Sequence, residues 1–79
     1  MDWINIKTRL PDNENPVLVA VYRYGQSQGV CIGEYSHFFH KWYDSAARAR
    51  GEYFSSFGHL NGEVLYWQPL PTPPDHENL

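Results

Sequence analysis

The clearest pattern in the chain is "VLVAVYRY", Val17 to Tyr24. β-Branched and aromatic residues dominate it, and alternation places Val17, Val19 and Val21 on one side with Leu18, Ala20, Tyr22 and Tyr24 on the other. Both sides are apolar enough to predict a central strand covered on two faces. "GQSQG", Gly25 to Gly29, supplies a turn, and "VCIGEY", Val30 to Tyr35, returns as a second strand, so a hairpin is expected from about Val17 to Tyr35. "SHFFHKWY" reads as a third strand, with Phe38 and His40 facing away from Phe39 and Lys41.

Helical signals are confined to "DSAARARG". Asp44 or Ser45 can cap the first amides, the alanines propagate the turn, and Gly51 can close it in a left-handed conformation. A helix of barely two turns needs tertiary support. "EYFSSF", Glu52 to Phe57, is expected as a further short strand, "GHLNG" as a turn, and "EVLYW" as the last strand. Ahead of these, "DWINIKTRLPDNENP" reads as an extended arm and turn pinned by Trp3 and Leu10, because Pro11 and Pro16 disfavour helix at the residues before them. The expected fold is mainly β. It is a single domain over residues 1–79, a small antiparallel sheet of about four to five strands, with one short helix after the third strand and both termini strapped across the sheet.

Composition adds the means of stabilisation. A domain of 79 residues buries only about 60–65% of the surface of its unfolded chain. Three Trp, six Tyr and four Phe compensate, since each such side chain can bury roughly 150–250 Å². The single Cys31 excludes an intramolecular disulfide and fits a reducing cytosol, and neither a signal peptide nor a membrane span is recognisable. A cytoplasmic location is expected. Six basic against nine acidic residues give a net charge of −3, which disfavours general binding to a phosphate backbone. The acids are spread along the chain, so mimicry of DNA has little support.

Candidate chemistry is sparse. His37, His40, His59, His76 and Cys31 can be assembled on paper into a metal site, yet strand positions three apart point to opposite faces, so His37 and His40 do not converge. Cys31 sits inside an apolar strand, where a thiol is normally inert. No glycine-rich phosphate loop precedes a helix. The expectation is no enzyme, no cofactor and no metal.

The ends carry a family resemblance. "WINIKTRLP" at the start, "VLVAVY", "GEY", and "VLYWQPLPTPP" at the end resemble domain-of-unknown-function family 551, small proteins common in bacteriophages and prophages. Trp3, Ile4, Ile6, Leu10 and Pro11 match its opening W-I-x-V-x-x-x-L-P. Val17, Leu18 and Val19 match a V-L-V strand, Gly33 and Tyr35 a G-x-Y, and Trp67, Pro69, Leu70, Pro71, Pro73 and Pro74 the closing W-x-P-L-P-x-P-P. Tyr66 stands where many relatives carry His. The resemblance implies a phage or prophage setting and a β-rich fold in which Trp3, Leu10, Pro11, Trp67, Pro69, Leu70 and Pro71 are structural, without naming an activity.

Pro71-Thr72-Pro73-Pro74 satisfies a P-x-x-P pattern. The reading preferred here is a strap: Trp67 and Leu70 anchor the segment, Pro69 and Pro71 end the sheet, and residues 75–79 fray. The remaining candidate is "HFFHKWYDSAARARGEYF", which departs most from the family pattern and mixes aromatic residues with Arg, the types that dominate protein interfaces. Phe39, Trp42, Tyr43, Arg48, Arg50 and Tyr53 are its expected contact residues. The functional expectation is a non-enzymatic phage or prophage accessory protein that binds a host protein as a monomer or weak oligomer, such as an inhibitor of a CRISPR effector or other defence complex. The alternative is a binder of nucleotides or single-stranded nucleic acid, with Arg48 and Arg50 on phosphate and an aromatic ring on a base.

Overall fold

The computed structural model describes residues 2–52, 57, 60 and 62–71. Five strands form one antiparallel sheet: β1 (Ile4–Asn5), β2 (Val17–Arg23), β3 (Gln26–Ser36), β4 (Lys41–Asp44) and β5 (Glu63–Pro69), in the order β1-β5-β2-β3-β4. One short helix, α1 (Ser45–Ala49), follows β4. The fold is therefore the mainly β sheet with a single short helix that the residue pattern predicts.

β2 is central, as its apolar character requires, pairing with β3 from Val17↔Gly33 to Arg23↔Gln26 and with β5 from Val17↔Pro69 to Tyr22↔Glu63. The turn joining β2 to β3 is tighter than expected. Tyr24 (φ 52°) and Gly25 (φ 78°) both adopt positive φ, the two-residue arrangement whose twist matches that of the strands. Residues 26–29, expected in the turn, instead extend β3.

Two bulges sit side by side on β2. The register to β5 shifts between Ala20 and Val21, and that to β3 between Val21 and Tyr22. Bulges increase local twist, and the sheet curls far enough that Lys41 and Trp42 of β4 line one cleft with Val64 of β5. Val17, Val19, Val21, Val64 and Trp67 form the core on the concave side with Phe57 and Leu60, and Ile4, Ile6, Cys31 and Trp42 pack against it.

The middle of the chain departs from expectation. "SHFFHKWY" is not one strand: β3 ends at Ser36, residues 37–40 form a turn, and β4 begins at Lys41. His40 takes a left-handed φ of 56°, which lets the chain reverse before Lys41. The strand expected over Glu52 to Phe57 and the turn over 58–62 lie largely outside the described residues.

α1 forms where the capping signals place it. The Asp44 carboxylate accepts from the Ala46 amide at 3.1 Å. At the other end the Glu52 amide donates to Ala47 O at 3.0 Å and the Gly51 amide to Arg48 O at 3.0 Å, a paired closure that requires the positive φ of Gly51 (83°). Tertiary contacts hold the helix to the sheet: the Ser45 hydroxyl donates to Glu34 Oε2 at 2.6 Å, and Arg48 Nη1 lies 3.4 Å from Glu34 Oε1 and 3.7 Å from Glu14 Oε1.

The strap is real at the level of Trp67 but not of Leu70. Trp67 is buried and its indole N–H donates to Arg9 O at 2.8 Å, tying β5 to the N-terminal arm. Pro11 is buried, and its carbonyl accepts from His37 Nε2 at 2.8 Å. Leu70, expected as an anchor, is 41% exposed, because β5 ends at Pro69 and carries it past the sheet. Trp3, expected to pin the arm, is 40% exposed and lies on the face opposite the core beside Tyr22 and Tyr66; alternation sends Ile4 into the core and its neighbour to the other side.

Candidate binding surfaces

The β3–β4 turn is the first surface. Ser36 is buried and its hydroxyl accepts from the Phe39 amide at 3.1 Å. His37 reaches Pro11 and stands edge-on to Tyr35, with ring centroids 5.0 Å apart. These contacts brace the base of the turn. Its tip presents two apolar rings to solvent, Phe38 at 81% and Phe39 at 60% exposure, packed edge-to-face at 4.8 Å. His37, His40 and Lys41 flank them, and no acid occurs from Ser36 to Lys41.

The expected contact residues are dispersed rather than gathered. Phe39 is on the tip. Trp42 turns inward against the core and meets Tyr35 at 5.1 Å. Tyr43 is buried under α1, with the Arg48 guanidinium 5.3 Å from its ring centroid. Arg48 is held between Glu34 and Glu14, and Arg50 lies 3.2 Å from Glu52. Tyr53 lies outside the described residues. Period-two alternation is the reason Trp42 and Tyr43 part company: consecutive strand residues point to opposite faces.

Phe38 was absent from the expected set. Its signal is visible in the sequence as an aromatic doublet between two histidines, too polar in its flanks for a core strand.

A second surface lies on the convex face of the sheet, whose centre no described element covers. Alternation directs Leu18, Ala20 and Tyr22 of β2, Val30 and Ile32 of β3, Tyr66 of β5 and Trp3 to this side. Val30, Ile32 and Trp3 are exposed. Tyr22 and Tyr66 meet edge-to-face at 5.7 Å, and with Trp3 they wall a slot of about 170 Å³ floored by Ala20. The apolar alternation of β2 foretold this face, but as a buried one.

Neither surface gathers catalytic chemistry. Among the described residues, no three His, Cys, Asp or Glu side chains come together as metal ligands, and no helix is long and apolar enough to cross a membrane. Burial, reinforced by the charge of Asp44, pushes the Cys31 thiol up to about 11, so at neutral pH it is a protonated, poor nucleophile.

The family model for proteins of unknown function designated DUF551 matches residues 2–75. The chain belongs to the DUF551 family. No curated protein and no solved structure matches it. Within this DUF551 protein, the residues shared with the family's opening and closing motifs have separate placements: Ile4, Ile6, Pro11, Val17, Val19 and Trp67 are wholly or partly buried, whereas Trp3 and Leu70 face outward.

Proposed function

We propose that this protein is a non-enzymatic phage or prophage accessory protein that acts by stoichiometric binding to a host protein, with the β3–β4 tip as its anchor. One observation carries the reading: Phe38 and Phe39 are exposed on a turn whose base is fixed by the Ser36–Phe39 and His37–Pro11 hydrogen bonds. Exposed aromatic rings held in one geometry lose little side-chain freedom on binding, and rings inserted into a partner's pocket are common interface hot spots. The positive charge of Lys41 beside the tip favours a pocket with an acidic rim. A defence complex such as a CRISPR effector is the finer expectation for the partner, since blocking one of its surfaces needs occupancy and no catalysis.

The nucleotide alternative has less support. Arg48 and Arg50, which it needs for phosphate, are already matched with Glu34, Glu14 and Glu52.

The test is an affinity capture from a bacterial lysate with active defence systems, followed by reconstitution from purified components. A Phe38→Ser/Phe39→Ser double variant and an Arg50→Glu variant run beside the wild type. Expected is a partner bound one-to-one by the wild type and the Arg50 variant, lost with the phenylalanines, and inhibited on binding. Retention of the partner by the Phe38/Phe39 variant, or no one-to-one complex at all, overturns the reading.

A further inference from the structure

A cleft between the N-terminal arm and the end of β5 differs in chemistry from both surfaces described above. It encloses about 360 Å³, within the roughly 300–1,000 Å³ of ordinary ligand sites. Trp67, Pro69, Leu70 and Pro11 form its apolar side, and its polar side carries two opposite charges, Arg9 and Asp12. Pro11 belongs to the opening motif of the chain and Trp67, Pro69 and Leu70 to its closing one, so the two motifs meet here. Leu70, 41% exposed, does not anchor the sheet, but it has its place on this wall.

The walls are held before any ligand arrives. The Trp67 indole N–H donates to Arg9 O at 2.8 Å, and the Arg9 guanidinium lies 5.4 Å from the centroid of the same ring, a cation–π contact. His37 Nε2 fixes Pro11 through its carbonyl at 2.8 Å. The Asn15 amide donates to Asn13 Oδ1 at 2.9 Å, and Glu14 reaches Arg48 at 3.7 Å; both contacts brace the loop that carries Asp12. A site arranged in advance loses little freedom on binding.

Arg9 and Asp12 share the cleft, yet among the described residues neither forms an ion pair, with the other or with any other side chain. An anion drawn to Arg9 would meet the carboxylate of Asp12, and a cation drawn to Asp12 would meet Arg9, so either is penalised by the like charge. A neutral apolar molecule would cover the wall and engage neither charge. A molecule that bears both signs and an apolar group matches all three features. The guanidinium fork accommodates a carboxylate, and the Asp12 carboxylate accepts from an ammonium.

We propose that this cleft binds a small zwitterion of the amino-acid class, an apolar α-amino acid or a dipeptide, with its carboxylate on Arg9, its ammonium on Asp12 and its side chain against Pro69 and Leu70. The site is separate from the Phe38/Phe39 tip and does not depend on the function assigned to it. Both charges stand at an open rim, where ion pairs are weak, so the affinity is of about millimolar order.

The experiment titrates the full-length chain with leucine and with leucyl-leucine at millimolar concentrations and follows the Trp67 indole N–H by NMR. N-acetylleucine, which lacks the ammonium, and leucinamide, which lacks the carboxylate, are titrated in parallel. A saturable shift of the indole signal with leucine or leucyl-leucine is expected, with each blocked compound about fivefold weaker than leucine, the most an exposed ion pair supplies. Arg9→Gln should abolish the preference for leucine over leucinamide, and Asp12→Asn the preference over N-acetylleucine, while the Val19 and Val21 methyl signals stay in place and show that the core is intact. No saturable shift with either zwitterion overturns the proposal. Equal binding of leucine and either blocked compound, or preferences unchanged in the two variants, overturns the assignment of the charges and with it the zwitterion.

Discussion

At Gly62 a β-carbon would collide with the Tyr22 carbonyl oxygen and lie 2.8 Å from the carbonyl carbon. Both atoms belong to the paired backbone of β2, so neither can move aside without breaking the register to β5. Gly62→Ala should therefore cost about 3 kcal/mol, seen as a lower urea midpoint with an unchanged m-value. Nothing in "LNGEV" reveals this collision: Asn-Gly reads simply as a turn, and the close approach comes from a strand some forty residues earlier. Cys31 is a case in which the sequence did speak. Its apolar neighbours predict an unreactive thiol, and burial with Asp44 raises it from 9.0 to about 11. Because the folded thiol holds its proton more tightly than the unfolded one, the associated stability is intact below pH 9.0 and falls as the pH rises toward about 11. Alkylation by iodoacetamide at pH 8 should be slow in the native protein and fast in urea. Equal rates in the two states would contradict the assigned environment.

At the scale of elements, α1 depends on its anchors more than on its own five residues. Glu34 receives both the Ser45 hydroxyl and the Arg48 guanidinium. Replacing it with Ala leaves Arg48 with Glu14 alone, at 3.7 Å, and should release the helix before the sheet. Amide hydrogen exchange at Arg48 and Ala49 should accelerate about tenfold, corresponding to a loss of about 1.4 kcal/mol, while exchange in β2 changes little. The caps that start and stop this helix were legible in "DSAARARG" because capping is local chemistry. The β2 strand was legible because its alternation is unbroken. The following turn was misplaced because Tyr24, a residue that rarely takes positive φ, does so beside Gly25. "SHFFHKWY" was misread because a four-residue turn interrupts a run of aromatic residues that, taken alone, favours a strand. Of the expected contact residues that are described, only Phe39 stands clear of core packing and of α1, since the Arg50 amide closes the helix on Ala47 O at 3.1 Å.

At the scale of the whole molecule, the sheet order β1-β5-β2-β3-β4 was not legible, since it depends on where distant segments meet. It also has a temporal consequence. During translation β2 and β3 are made together and can pair as a hairpin, but the other edge of β2 stays open until Glu63–Pro69 emerges. Until then "VLVAVY" offers an unpaired apolar ladder to any neighbouring strand, the arrangement most prone to edge-to-edge association. Completion of the sheet by insertion of β5 between β1 and β2 has high contact order and is a slow step. The nascent chain is thus vulnerable throughout the synthesis of the residues between β3 and β5, and its yield in a cell should depend on the pace of translation through the segment that ends with β5 and on the chaperones waiting there.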